Sequence, residues 1–252
     1  MELTDTIIEA RALTKDFRGF VAVAGIDLKV RKGTIHALIG PNGAGKSTVF
    51  NLLTRFLPLS SGQIFFKGED ISRRDPALLA QSGMVRSFQI SSTFPQLSLR
   101  DNVRIALQRP LHMSYQFWRS DTTLASLNER ADALLEAVGL TRWRAALACE
   151  LSYGRKRALE LATTLALDPE VMLLDEPMAG LGHEDIARIA KLIRQVAVGR
   201  TVLMVEHNLK VVADLSDTIT VLARGKILAE GPYATVAANP EVRRAYMGTA
   251  HA

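Results

Sequence analysis

The stretch Gly40-Pro41-Asn42-Gly43-Ala44-Gly45-Lys46-Ser47-Thr48 restricts this chain more than anything else in it. It fits G-x-x-x-x-G-K-[ST], a loop whose main-chain N–H groups close on phosphate oxygens. A polyphosphate must be approached by backbone, so side chains give way at three glycines, which also reach the angles that turn successive N–H groups inward. The pattern places Lys46 to span the β- and γ-phosphates and the Ser47 hydroxyl to hold Mg²⁺. A helix predicted to start at Lys46 points the positive end of its dipole at the same anion. The apolar run before it, residues 33–39, reads as a buried strand. Strand, glycine loop and helix form the setting that the pattern requires, and a glycine-rich surface turn would not need it. The sequence therefore predicts a nucleotide site.

Composition narrows the class. With 252 residues, 48% hydrophobic and 23% charged, the chain is an ordinary globular one with enough length for a large core. No apolar run reaches the roughly 20 residues of a membrane helix. Residues 1–5 are acidic and lack an export signal's basic start, so the chain is expected to stay where it is made and to meet a membrane only through a partner. The single cysteine, Cys149, excludes a disulfide or a cysteine metal cluster within the chain and is expected to be small buried filler. A net charge of +5 and a pI near 9.5 permit anionic lipid or nucleic acid without requiring either. Basic residues near the phosphate loop account for part of the excess.

Residues 7–14 and 21–30 alternate with period two and are expected to form antiparallel strands, turned at Arg31-Lys32-Gly33. Phe17 and Phe20 lie between them. Either could stack on an adenine, and spacing alone favours core packing. After the loop, a helix runs to Phe56 and stops before Pro58. A strand over 63–67, a turn at Gly68-Glu69-Asp70, a helix over 77–82 and a strand over 84–88 ending at Gln89 follow. From about residue 90 to 165 helical periodicity replaces strands, with an aromatic, irregular stretch over 108–120 expected to pack locally. Strands over 171–174 and 201–205 then alternate with a helix over 186–196, and Arg224-Gly225 signals a hairpin. A short helix is expected from Pro240 to Gly248.

Asp175 and Glu176 sit at the carboxyl end of a buried strand, where open α/β sheets bind ligands. Asp175 suits Mg²⁺, which prefers oxygen ligands, and Glu176 suits polarising an attacking water. His207 follows the next apolar strand and is placed to hydrogen-bond a γ-phosphate. Gln89 could reach Mg²⁺ or the water. In residues 151–157 (LSYGRKR), Ser152 is a good N-cap, but three basic residues then oppose the dipole of the helix that follows, expected over 158–167, by roughly 0.3–1 kcal/mol each. A phosphate would reverse that penalty, so Ser152, Gly154 and this helix end are expected to face a nucleotide held by another subunit.

Taken together, these residues resemble the ATP-binding subunit of an ABC transporter across nearly the whole chain. The likeness rests on GPNGAGKST (40–48), RSFQ (86–89), LSYGRKR (151–157), VMLLDEP (171–177), AGLG (179–182) and EH (206–207), in that order. It implies the ABC ATPase fold: an α/β P-loop core with a mixed sheet, an antiparallel β subdomain (with the core, 1–89 and 168–252) and an inserted α-helical subdomain (about 90–167). It implies a head-to-tail dimer, a homodimer or a heterodimer with a related ATPase subunit, holding two ATP, with Ser152, Tyr153 and Gly154 of one subunit facing the other's loop, and Mg²⁺ on Ser47, Gln89 and Asp175. It also favours Phe17 as the adenine-stacking ring. The tail (Asn239-Pro240-Glu241-Val242 to Ala245-Tyr246-Met247-Gly248) and the insertion are most similar to branched-chain amino acid importer ATPases.

Membrane permease subunits, a periplasmic substrate-binding protein, a place on the cytoplasmic face of the inner membrane and no nucleic acid are the partners and location this implies. Residues 90–99 are the expected permease dock. Arg155 stands where glutamine is usual, and Gly182-His183 where Asn-Pro is common. Lipopolysaccharide-export ATPases share the tail but less of the insertion. Soluble ABC ATPases of DNA repair or translation carry tandem cassettes, zinc modules or coiled coils that this chain lacks. A small-molecule kinase would leave LSYG unexplained.

Overall fold

The computed structural model describes residues 5–87, 93–109 and 127–247. Two sheets and the helices around them follow from where each strand hides its side chains. The first sheet is antiparallel, order β2-β1-β4-β5, from β1 (Thr6–Phe17), β2 (Phe20–Arg31), β4 (Ser61–Phe66) and the short β5 (Glu69–Asp70). The second is mixed, order β10-β9-β3-β8-β7-β6, from β3 (Ile35–Ile39), β6 (Met84–Arg86), β7 (Val171–Asp175), β8 (Thr201–Val205), β9 (Thr218–Ala223) and β10 (Lys226–Gly231). Its strands run parallel except the β9–β10 hairpin.

Every residue of β3, β7 and β8 is buried, which is what unbroken apolar runs dictate for strands covered on both faces. Alternation then sorts the faces. Leu38, Leu173 and Leu203 point into a core shared with the antiparallel sheet and α1 (Lys46–Leu53). Ile39, Met172 and Val202 point into a core shared with α3 (Leu99–Gln108), α4 (Asn128–Ala137), α5 (Tyr153–Leu165), α6 (His183–Val196) and α7 (Leu209–Leu215). The short helices α2 (Pro76–Gln81), α8 (Tyr233–Ala238) and α9 (Pro240–Met247) complete the α-helices of the described residues.

Several expectations change. The β1–β2 turn is Arg18-Gly19, both with positive φ (53° and 99°), and Phe17 pairs with Phe20 across it. Arg31-Lys32-Gly33 leads instead from β2 into β3. The two-residue turn has the mirror-image geometry that matches strand twist, as does Arg224-Gly225 (49° and 75°). Helix α1 stops at Leu53, because Arg55 already has φ 60°. Glu69 and Asp70 pair with β4 rather than turning; the turn is Lys67-Gly68. Cys149 is exposed, not filler. Gln89 and residues 110–120 of the aromatic stretch lie outside the described residues.

Inside the mixed sheet, His36 Nε2 donates to Thr220 Oγ1 at 2.7 Å, and that hydroxyl donates to Glu230 Oε2 at 2.5 Å. Burial, aided by the charge of Arg31, pushes the His36 imidazole down to about 4. An unfolded histidine takes up its proton near 6.5, so the unfolded chain binds more protons between these values and stability is lost as pH falls from 6.5 towards 4. The drop due to His36 is on the order of 3 kcal/mol. Urea unfolding of the chain and of His36→Gln across that window should show the shallower pH slope in the variant; equal slopes would remove His36 as the cause.

Candidate nucleotide-binding site

The glycine loop follows β3 and is shaped by close neighbours. A Cβ on Gly40 would stand 2.2 Å from Leu222 O, and one on Gly45 2.7 Å from Ala22 O, so only glycine fits at either place. Backbone bonds lace the loop to its surroundings: Gly225 N donates to Ala44 O (3.0 Å) and Ala24 N to Gly225 O (2.9 Å). The loop is thus wedged between β2 and the β9–β10 turn. Pro41 N-terminal to the turn, Asn42 and Gly43 form its outer rim, with Asn42 and Gly43 exposed.

Lys46 opens α1 and is 8% exposed. Its ammonium donates to Gly40 O (2.7 Å) and Pro41 O (3.0 Å), so the loop is curled around a cation. Burial lowers its pKa, and the charge of Glu176 acts the other way. Ser47 is exposed and Thr48 half-buried in the first turn of the helix. The tail also reaches this place: burial pushes the Tyr246 phenol up to about 12, against a hydrogen bond from the Gly40 backbone. In the sequence Tyr246 is distinguished only by its place in the tail that resembles branched-chain importer ATPases.

Two strands from β3, β7 ends in Asp175, which is nearly fully buried. Arg86 at the end of β6 donates to Asp175 Oδ2 at 2.6 Å and to Asn51 Oδ1 of α1 at 2.6 Å. The other oxygen, Asp175 Oδ1, is buried and has no hydrogen-bond partner among the described residues. Glu176 follows with φ 46°, and its amide donates to Val205 O at 2.9 Å, extending the β7–β8 pairing by one residue. Between them β8 is followed by Glu206 and His207. Glu206 is completely buried, whereas the His207 side chain is 61% exposed.

The LSYG segment reads differently in three dimensions. Helix α5 begins at Tyr153, five residues earlier than expected, and Ser152 has N-cap backbone angles (φ −61°, ψ 158°) without a capping bond from its hydroxyl. Two of the three uneasy cations have partners in their own chain: Arg155 lies 4.1 Å over the Trp143 ring, and Arg157 bonds Glu160 (2.8 Å) and Tyr153 Oη (3.1 Å). Helix-dipole conflict therefore carries less weight than the sequence suggested. Gly154 has a reason within the chain, since a Cβ there would stand 2.4 Å from the Asp185 carboxyl of α6. Ser152 and Tyr153 remain exposed.

Phe17 is not a core residue. It is 44% exposed at the tip of the β1–β2 hairpin, with Lys15 Nζ 5.1 Å from its ring centre, and β2 of the same hairpin passes against the loop. The structure thus brings the loop, Asp175, Glu176 and His207 to the carboxyl ends of β3, β7 and β8.

A phosphate-cradling loop after the middle of a mainly parallel sheet, with a carboxylate pair two strands away, defines a phosphate-loop nucleoside triphosphatase. The chain belongs to the ABC transporter family, which it matches over residues 23–179, and it is an ATP-hydrolysing cassette of that family. Residues 226–252 match a second description, the branched-chain amino acid ATP-binding cassette transporter.

Among curated proteins it is 38% identical to the high-affinity branched-chain amino acid transport ATP-binding protein BraF of Pseudomonas aeruginosa, over 97% of this chain and 98% of that one. Against LivG of Escherichia coli, which bears the same description, identity is 33% over 98% and 100%. Among solved structures it resembles an ADP-bound cassette, MJ1267, with TM-score 0.84 and 30% identity over 96% of this chain and 99% of that one. A nucleotide-free ATP-binding cassette from an ABC transporter scores 0.83 at 29% identity, over 96% and 98%. No described helix is long and apolar enough to cross a membrane.

Proposed function

We propose that this chain is the ATP-driven motor of an importer for branched-chain or related amino acids, acting as one of a pair of cassettes on the cytoplasmic face of the inner membrane. The observation that carries this reading is the match to branched-chain cassettes, which runs the length of the chain and includes the tail at 226–252.

In this reading ATP lies on the glycine loop, with its adenine against Phe17 and its phosphates on the N–H groups of residues 40–48 and on Lys46. Mg²⁺ fits the residues present: Asp175 offers a buried oxygen with no partner among the described residues, Ser47 an exposed hydroxyl beside Lys46, and Gln89 completes the expected set. Such a cation uses one or two carboxylates plus phosphate oxygens and neutralises charge developing on them. Glu176 accepts a proton from the attacking water, and His207 hydrogen-bonds the γ-phosphate. Ser152, Tyr153 and Gly154 of a second cassette close the other side, an arrangement supported by the uncommitted Ser152 hydroxyl.

The division into a core with β subdomain (1–89 and 168–252) and a helical subdomain (about 90–167) supplies two bodies that can close on ATP. Residues 93–99 of the expected dock lie along 146–149 (Leu99 N to Ala146 O, 3.1 Å), exposing Phe94. Beside them is a groove of about 280 Å³ lined by Phe94, Ile105 and Arg86, the residue that holds Asp175. A permease helix seated there would connect with the metal end of the site. A periplasmic binding protein completes the importer.

A host strain deleted for this chain should lose high-affinity uptake of radiolabelled leucine, isoleucine and valine, with recovery by the wild-type chain but not by Lys46→Ala. Unchanged uptake accompanied by loss of surface lipopolysaccharide would favour the export alternative.

A further inference from the structure

Among the described residues three acidic side chains are buried: Glu160, Asp175 and Glu206. Arg157 answers the first and Arg86 the second. Glu206 has no exposed surface at all, and no Lys or Arg among the described residues pairs with it; the His207 ring nitrogen Nδ1 lies 3.9 Å away. Main chain does the work instead. Glu206 Oε1 accepts from Met178 N at 2.9 Å, and Oε2 accepts from His207 N at 2.9 Å and Asn208 N at 3.1 Å. A carboxylate removed from water needs such donors, and charge-assisted bonds are the stronger kind.

The two oxygens serve different loops. Oε2 organises the turn that carries His207, whose Asn208 then caps α7 by accepting from Val211 N (3.3 Å). Oε1 crosses to Met178, 28 residues away in sequence, in the loop after Glu176. That loop is folded on itself, since Ala179 N donates to Glu176 O at 3.0 Å. The Glu206 amide itself points at Leu38 O (3.4 Å), two residues before Gly40. Satisfying the His207 turn needs only one carboxylate oxygen. The second has no local task.

We propose that Glu206 is a positioning residue that ties the Glu176 loop to the His207 loop, so that the water-activating and phosphate-contacting sides of the site move as one unit. The proposal rests on the reading of Glu176 and His207 given above. A glutamine at 206 has one acceptor end only; its NH₂ would face a main-chain N–H, leaving a buried donor unpaired and one loop untied.

In the full chain, Glu206→Gln should lower kcat for ATP hydrolysis by roughly 10- to 100-fold, the scale of a misplaced catalytic group. Affinity for a fluorescent ATP analogue should stay within about twofold, because the phosphate loop is untouched. Glu206→Asp keeps the anion and the local bonds but is one methylene short of Met178, and it should fall similarly. It also serves should the glutamine variant not fold. Combined with His207→Ala, either substitution should cause no further loss, since residues acting as a unit are non-additive.

Wild-type kcat in Glu206→Asp would mean that the local turn suffices and would overturn the bridge, as would a fully multiplicative double variant. A normal rate in His207→Ala would instead remove the reading of His207, and the bridge with it. A slow His207→Ala beside normal Glu206 variants sinks the bridge alone.

Discussion

Glu176→Gln binds ATP and turns it over roughly 10²- to 10⁴-fold more slowly, the range expected on losing a general base. The substitution keeps shape and volume, and the backbone features that fix residue 176, its φ of 46° and its amide bond to Val205 O, do not involve the carboxylate. On the proposed role of Glu176, what is lost is the ability to take a proton from water beside the γ-phosphate. Steady-state hydrolysis together with equilibrium ATP binding checks both halves of the expectation. Near-normal turnover would place the base elsewhere.

Lys46→Ala fails at the earlier step. The ammonium is buried under the loop and already desolvated, as its lowered pKa reflects, so a polyphosphate meets a charge that has little water to lose. Truncating such a partner costs roughly 2–5 kcal/mol, or about 30-fold or more in nucleotide affinity. Titration with a fluorescent ATP analogue should show that loss, and hydrolysis should recover in part at high ATP. Wild-type affinity would contradict the placement of the phosphates. The two variants separate binding from chemistry.

Much of this site was legible in the sequence because its parts are local. The glycine loop needs three glycines and a lysine at fixed spacing, and β3, β7 and β8 are unbroken apolar runs whose ends must carry whatever the sheet binds. The β1–β2 turn is less legible: Arg18-Gly19 has the same positive-φ geometry as Arg224-Gly225, but it lies between two phenylalanines that read as part of the flanking segments. Relations between distant segments were hidden for a different reason. That Arg157 finds Glu160 and Arg155 finds Trp143 depends on side-chain reach, not on the order of charges along a helix. Glu206 looked like a bystander to His207 because the N–H it holds, at Met178, belongs to another loop. The Tyr246 contact with Gly40 joins the tail to a loop some 200 residues earlier, and no periodicity announces it.

Ser152 and Gly154 show the limit of motif reading in both directions. A Cβ at Gly154 would push aside the Asp185 carboxyl of the same chain, so a glycine there has a local use and does not by itself argue for a second subunit. Ser152, by contrast, has the backbone of a cap while its hydroxyl makes no capping bond, and the residue is exposed.

ATP held between unlike faces of two cassettes requires that two chains associate while it is bound. Light scattering of the Glu176→Gln chain, in which bound ATP persists, tests it most directly. With Mg²⁺ and ATP the mass should double from that of the 27.6 kDa chain, and without ATP it should return to the single-chain value. A chain that binds ATP with normal affinity yet keeps the mass of one copy on its own, and joins its permease as a single cassette, would contradict it.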